Sequence, residues 1–118
     1  MKAFCMIMLA LILSFGANAQ KKKTETIVIK TKIYCDHCLE CESCGDNITN
    51  SLGLSKGIKD VKINPEDNTI TVKYNPKLTN PEAIRRTINN AGFDADNQKA
   101  PSTAVNKLDG CCKAKETN

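Results

Sequence analysis

Hydrophobic and polar residues alternate in three segments of the chain, and this alternation predicts three β-strands. In residues 26–33, β-branched side chains occupy every second position, which is typical of a strand with one buried face. The same pattern recurs in residues 58–63 and 69–74, with the turn-forming residues 64–68 between them. A shorter and more polar segment, residues 93–98, is predicted as a fourth strand.

Two further segments have the spacing of amphipathic helices. The first helix is predicted to begin near Ser43, which opens a capping-box pattern, and to end near Gly53. The second is predicted to begin with Asn80 as its cap and Pro81 at its first position, and to stop at Gly92. The apolar residues that these helices should bury are Cys44, Ile48 and Leu52 in the first, and Ile84, Ile88 and Ala91 in the second.

The order of these elements predicts an α+β fold. Strand, helix, strand, strand, helix, strand is the order of the ferredoxin-like βαββαβ sandwich, in which two helices cover one face of an antiparallel sheet. The predicted domain extends over residues 26–98, after a polar N-terminal tail at residues 20–25. Residues 99–118 are predicted to be a cysteine-containing C-terminal tail, in which 102–108 can form two helical turns with Val105 and Leu108 on one side.

The N-terminal segment has the pattern of a secretory signal peptide, predicted as residues 1–19. A short basic start precedes residues 4–15, which are almost all apolar, and Ala17 and Ala19 are small residues at the positions that a signal peptidase reads. The apolar run is shorter than the ~20 residues that cross a bilayer. We therefore expect cleavage after Ala19, export across the inner membrane and a periplasmic location.

Composition and charge argue against several classes of function. The 118-residue chain has a formal net charge of +4, and aromatic residues make up only 4%, so no stacking platform for nucleic acid is visible. No paired carboxylates and no Ser/His/Asp set lie in a context that would support hydrolysis. We therefore expect a protein that is not an enzyme and does not bind nucleic acid, and we expect it to be a monomer.

Cysteine is the residue type that carries the candidate chemistry. Among the seven cysteines, Cys5 would leave with the signal peptide, and four others lie at intervals of three residues. Exported proteins often contain disulfides, but bonds within this cluster would close very short loops and stabilise little. Closely spaced thiols are better explained as ligands of a soft metal ion. The clustered residues are Cys35, Cys38, Cys41 and Cys44, and Cys111 and Cys112 form a further pair.

The number of ligands bears on the metal. Two sulfurs suit Cu(I), whereas four sulfurs, or three together with His37, suit tetrahedral Zn(II). The N-terminus of the first helix favours the thiolate form of Cys44 most, and that of Cys41 next. His37 is the only histidine, and a polar loop residue is the interpretation favoured for it over a ligand.

Each cysteine pair also has a role that involves no metal. Cys35 and Cys38 can form a local disulfide or have no role at the site. A disulfide there would matter, because copper binding needs reduced thiols and an oxidising compartment favours disulfides. Cys41 and Cys44 can likewise form a structural disulfide. Cys111 and Cys112 can fold back as ligands, pair with other cysteines, or take no part. Cysteine spacing alone does not decide among these roles.

Four short motifs follow one another along the chain. They are Cys-Glu-Ser-Cys at 41–44 with Ile48 and Leu52 after it, Gly-Ile-Lys-Asp-Val at 57–61, Thr-Val-Lys-Tyr-Asn-Pro at 71–76, and Ala-Gly-Phe-Asp-Ala at 91–95. In order and spacing, the chain resembles the heavy-metal-associated domain family over about residues 26–96. That family includes copper chaperones, the N-terminal domains of metal-transporting ATPases and periplasmic mercury-binding proteins.

The resemblance implies a Cys-x-x-Cys pair, between the first strand and the first helix, that holds one metal ion with two sulfurs. It implies Cu(I), Hg(II) or a similar ion, and together with the ligand count we expect Cu(I) first, with Hg(II) or Zn(II) as alternatives. Two pairs compete for this place, because Cys35 and Cys38 fit when counted from the strand, whereas Cys41 and Cys44 fit when counted from the helix. The helix register favours the second pair. Phe93 matches an apolar residue near the site in ATPase domains, and packing explains it as well.

The function that these observations favour is the capture, delivery or sequestration of a soft metal ion. The mechanism expected is exchange of thiolate ligands with a partner, either another thiol-rich domain or a membrane metal exporter. A thiol–disulfide oxidoreductase is the main alternative, because Cys-x-x-Cys at a helix start is also a redox motif. The aromatic-rich active-site segment expected of such redox proteins is missing from this chain.

Overall fold

The computed structural model describes residues 23–35 and 44–113 of the chain. Within these ranges the elements are β1 (Glu25–Lys30), α1 (Gly45–Gly53), β2 (Ile58–Asn64), β3 (Thr69–Tyr74), α2 (Pro81–Asn90) and α3 (Ser102–Val105), followed by a 3₁₀ turn at Gly110–Cys112. The predicted signal peptide, His37, Cys38 and Cys41 lie outside the described residues.

The described strands form one antiparallel sheet in the order β1-β3-β2. β3 lies in the centre, where Ile70 is opposite Ile29 of β1 and Ile63 of β2. β1 ends three residues earlier than predicted, because the next backbone N–H groups bond to Asn68 instead of continuing the strand ladder. The Thr31 N–H donates to the Asn68 carbonyl and the Ile33 N–H to the Asn68 side-chain oxygen, both at 2.9 Å.

Both predicted helices are confirmed. α2 begins as its sequence indicates, since Pro81 is its first residue and the Asn80 side-chain oxygen accepts a hydrogen bond from the Ala83 N–H at 2.9 Å. α1 begins close to the expected point, but its N-cap is Cys44, which makes no side-chain capping bond. The predicted cap, Ser43, lies outside the described residues. The Asn47 side chain donates to the Ala91 carbonyl at 2.9 Å and so ties α1 to the end of α2.

The core lies between the two helices and one face of the sheet. The predicted apolar stripes of both helices are buried there, whereas Val28, on the opposite face of β1, is 58% exposed. This arrangement is the α+β architecture that the order of elements predicts. The largest fully buried side chains among the described residues are Ile29, Cys44, Ile48, Leu52, Ile70, Val72, Ile84 and Ile88.

The prediction of a fourth strand over residues 93–98 is wrong. Ala95 and Gln98 form only an isolated bridge with each other, around a turn in which Asp96 has a positive φ of 53°. That left-handed residue interrupts the extended backbone that a strand requires. The turn nevertheless docks on the free edge of β1, because the Asp96 N–H donates to the Lys30 carbonyl at 2.7 Å.

The C-terminal segment, defined here as residues 101–113, folds back on the domain. The sequence predicts a tail with two helical turns, but α3 provides one turn, and Ala104, Leu108 and Cys112 are buried beyond the predicted domain boundary. The approach is close at Gly92, whose φ is +101° and where an added Cβ would lie 2.9 Å from Leu108 Cγ. Apolar burial therefore holds the segment against the end of α2.

Among the described residues, no helix has the length and the apolar character needed to cross a membrane.

Candidate metal centre

Four of the six predicted sulfur ligands lie in the described parts of the chain, and the fold brings all four to one end of the domain. Cys35 follows β1, Cys44 caps α1, and Cys111 and Cys112 lie in the 3₁₀ turn of the C-terminal segment. Cys38 and Cys41 lie between Cys35 and Cys44 in the sequence and are outside the described residues, as is His37.

Cys44 and Cys112 form a disulfide bond across a sequence separation of 68 residues, with their Cα atoms 5.9 Å apart. Both residues are buried, at 0% and 2% exposure. Of the alternatives that the sequence leaves open for the C-terminal pair, the structure therefore places Cys112 in a bond with another cysteine. In this state the Cys44 sulfur is no thiolate, and thiolates are the form that binds metal.

Three sulfurs gather at this disulfide. The Sγ atoms of Cys35, Cys44 and Cys111 all lie within 4.8 Å of one another, and the Sγ atoms of Cys111 and Cys112 are 3.9 Å apart. Sulfurs that share one metal ion at ~2.3 Å are separated by roughly 4 Å in a trigonal or tetrahedral arrangement. Once Cys44 is reduced, only small movements would bring these atoms to ligand distances.

The three clustered cysteines differ in their exposure to solvent. Cys44 is fully buried, Cys35 is half-buried and in no disulfide, and Cys111 is exposed. The cluster therefore extends from the core to the surface at the N-terminus of α1. A helix N-terminus favours anionic groups, because its unpaired N–H groups carry partial positive charge.

A cleft of about 120 Å³ adjoins the disulfide and is lined in part by Cys112. Phe93 lines it together with Tyr34 and is itself only 2% exposed, so packing accounts for this residue near the site. Lys32 and Lys113 also line the cleft. Asp94 lines it as well, but the two positive charges outnumber this negative one and favour the approach of an anionic thiolate to the disulfide.

The buried side chains that hold the C-terminal cysteines at the site could be predicted only in part from the sequence. The predicted helical turns place Val105 and Leu108 on one side, but Ala104 and Leu108 are the buried pair. The spacing of four residues between Ala104 and Leu108 is the signal that could have identified them.

Residues 37–94 of the chain match the family model of the heavy-metal-associated domain. The chain contains a heavy-metal-associated domain. Such a domain is a metal-binding module, which agrees with the family resemblance carried by the sequence motifs. The matched range includes both cysteines of the 41–44 pair and only Cys38 of the first pair, and it ends before the C-terminal segment.

Relatives of this domain occur within much longer proteins. The copper-transporting ATPase 1 of Rattus norvegicus is 37% identical over 57 residues, which are 48% of this chain and 4% of that ATPase. The chain spans only 4–9% of the length of the copper ATPases that it matches. The likeness therefore concerns the domain and not the transport activity of those proteins.

Solved structures confirm the ferredoxin-like heavy-metal-associated fold. The CopZ metallochaperone superposes with a TM-score of 0.53 at 15% identity, over 60% of this chain and 98% of that one. Oxidised MerP from Ralstonia metallidurans CH34 gives the same TM-score and identity, over 62% of this chain and 94% of that one. At this identity the likeness concerns the fold alone.

Proposed function

We propose that this chain is an exported carrier of a soft metal ion, Cu(I), which it captures with cysteine thiolates and passes on or sequesters. The observation that carries the proposal is the gathering of Cys35, Cys44 and Cys111 within 4.8 Å, at the start of the first helix of a heavy-metal-associated domain. Sulfur donors favour Cu(I) and other thiophilic ions over Mg²⁺ or Ca²⁺.

Several observations support the choice of metal and of the central ligand. The relatives include ATPases named for copper transport. The matched family range contains Cys41 and Cys44 together, and Cys44 also belongs to the cluster with Cys35 and Cys111, so both observations support Cys44 as the central ligand. Hg(II) and Zn(II) are the alternative cargoes, since both accept thiolate ligands.

Transfer would proceed by ligand exchange. A thiolate of the carrier attacks the metal held by a donor, a shared intermediate forms, and the donor's sulfurs leave one at a time. The partner proposed is another thiol-rich domain or a membrane metal exporter. The signal-peptide pattern at residues 1–19 supports a periplasmic location for this exchange.

The test is a titration of the reduced protein. The purified chain is treated with dithiothreitol, freed of it anaerobically, and titrated with Cu(I) against a competing chelator and separately with Zn(II). We expect tight Cu(I) binding that is lost in the double variant Cys41→Ser/Cys44→Ser. His37→Asn, a change between Cys35 and Cys44 in the sequence, is the matched control and should bind as the unaltered chain does, because the proposed site consists of sulfur ligands.

A redox role is the second candidate function, and the buried Cys44–Cys112 disulfide is the observation that favours it. If the reduced chain binds neither metal tightly, and the chain as isolated has no titratable thiols, the carrier proposal is wrong and the redox role takes its place.

A further inference from the structure

The C-terminal segment brings two sulfurs to a site that the family domain does not include. Cys111 and Cys112 lie well beyond the matched range of 37–94. They nevertheless lie beside Cys44, one of them bonded to it and the other within 4.8 Å. The segment therefore lies where Cys111 can add a metal ligand and where Cys112 can block one, Cys44.

We propose that the C-terminal segment is a working part of the metal site, in which Cys111 supplies a third thiolate beside Cys35 and Cys44, and the Cys44–Cys112 disulfide keeps the site closed until it is reduced. This inference rests on the proposed function, because it assumes that the reduced chain binds a soft metal ion. It concerns the ligand set and the control of that same site.

The geometry supports a three-sulfur site. The three Sγ atoms come from three separate segments of the chain, and their mutual distances of at most 4.8 Å are close to the roughly 4 Å expected around a trigonal thiolate-bound ion. Cys35 is in no disulfide. A two-coordinate Cys-x-x-Cys site would need neither Cys35 nor Cys111 at this position.

The segment can keep Cys111 in place without the disulfide. Leu108 is 7% and Ala104 is 8% exposed, and the Lys113 ammonium donates to the Asn106 carbonyl at 3.3 Å within the segment. Apolar side chains buried in this way stabilise the docked segment whether or not the bond is present. Reduction therefore frees two thiols while the apolar contacts still hold the segment against Gly92.

The opening step balances with a dithiol as the reductant. One dithiol sulfur attacks the Cys44–Cys112 bond and forms a mixed disulfide, and the second sulfur then displaces the remaining cysteine. The dithiol loses two electrons and two protons and becomes a disulfide. Cys44 and Cys112 take up these electrons and protons, and each becomes a thiol. The lysine-flanked cleft beside Cys112 provides a path by which a thiolate reaches this buried bond.

The experiment counts sulfurs around bound Cu(I) and varies the redox state. The full chain and its Cys111→Ser variant, both reduced, receive one equivalent of Cu(I), and X-ray absorption gives the number of sulfur ligands. We expect three sulfurs in the unaltered chain and two in Cys111→Ser, whose affinity in chelator competition should fall at least tenfold. Lys107→Ala, an exposed change in the same segment, is the matched control and should leave both values unchanged.

The closure of the site by the disulfide is tested in a glutathione buffer. Its redox potential is set so that Cys44 stays bonded to Cys112 in the unaltered chain, as peptide mapping verifies. There the unaltered chain should take up no Cu(I), whereas Cys112→Ser should retain uptake. Cys112→Ala is a second variant, and circular dichroism checks that both fold.

The outcomes separate the two proposals. If the reduced chain binds Cu(I) with two sulfurs and Cys111→Ser binds it equally well, the third-ligand inference is wrong and the carrier function stands. If Cys112→Ser and Cys112→Ala both fail to take up Cu(I) in the glutathione buffer, the proposal that the disulfide closes the site is wrong. If the reduced, unaltered chain binds no Cu(I), the carrier function itself fails.

Discussion

Asp96 connects three parts of the molecule through one side chain. Its Oδ1 accepts from the Lys30 N–H at 2.9 Å, and its Oδ2 accepts from Arg85 Nε at 2.8 Å. Burial raises the pKa of this carboxyl, but the hydrogen bonds from Arg85 and Lys30, together with their charges, hold the pKa below its ordinary value. The turn at Asp96 is thus fastened to β1 and α2 by an ionised group.

This pair predicts a stability difference that depends on pH. Because the folded pKa is depressed, Asp96 stabilises the fold above the ordinary value of 3.8 and loses that contribution as the pH falls through the lower folded value. We expect Asp96→Asn to lower the free energy of unfolding by roughly 1 kcal/mol at neutral pH, since the pair is partly exposed. Urea denaturation measures this difference.

Glu82→Gln is the control for this effect. Glu82 is 59% exposed and contacts Arg85 at 3.8 Å, and it accepts a hydrogen bond from Gln98 Nε2 at 3.1 Å that a glutamine oxygen can also accept, so the substitution should change little. An advantage of the unaltered chain over Asp96→Asn that stayed constant down to about pH 2 would contradict the assignment.

At the scale of the elements, local signals explain which predictions succeeded. β3 has the predicted bounds, and α2 begins where Asn80 and Pro81 place it, because alternation and capping are encoded in neighbouring residues. The fourth strand failed at Asp96, whose contacts with Lys30 and Arg85 are separated from it by 66 and 11 residues. No local pattern contains such contacts.

The candidate site was predictable to a similar degree. Its residue type and its place at the start of α1 follow from the spacing of the cysteines and from the buried stripe of Cys44, Ile48 and Leu52. The partner of Cys44 does not follow, because it depends on how Leu108 and Ala104 pack, at positions far from Cys44 in the sequence. Tertiary packing, and not cysteine spacing, selects that pair.

The docking of the C-terminal segment on α2 can be tested at Gly92. Gly92→Ala should destabilise the fold by about 2 kcal/mol, because an alanine at a φ of +101° is strained and its Cβ would meet Leu108 at 2.9 Å. Removing the clash partner with Leu108→Ala should reduce this cost by about 1 kcal/mol in a double-mutant cycle. Chemical denaturation of the four proteins gives the coupling.

Gly53→Ala is the matched control, since nothing lies within 4 Å of its added Cβ. It should be neutral or slightly stabilising, because alanine suits a helix better than glycine. If the losses in unfolding free energy for Gly92→Ala and Leu108→Ala are additive, the predicted steric contact between the two residues is wrong.

At the scale of the whole molecule, one covalent bond joins the start of the first helix to the C-terminal segment. The core is thin in a domain of this size, so such a link is a large part of the total stability. A bond that encloses about 70 residues is worth roughly 4 kcal/mol in the chain-entropy account.

Reduction should therefore lower the free energy of unfolding by about 2–4 kcal/mol in the metal-free chain. Guanidinium denaturation with and without dithiothreitol measures this change. Cys112→Ser lacks the bond in both conditions, so its unfolding should respond little to the reductant. A comparable response in Cys112→Ser would mean that some other disulfide carries the stability.

The separation of 68 residues between Cys44 and Cys112 also sets an order of events during synthesis. At about 5–20 residues per second, Cys112 leaves the ribosome roughly 3 to 14 s after Cys44. Cys35, Cys38 and Cys41 precede Cys44 in the chain, so an oxidant that acts in this interval finds only near neighbours to bond. A nascent chain oxidised early must then exchange partners before the long-range bond can form, and a folding catalyst that reshuffles disulfides would hasten its maturation.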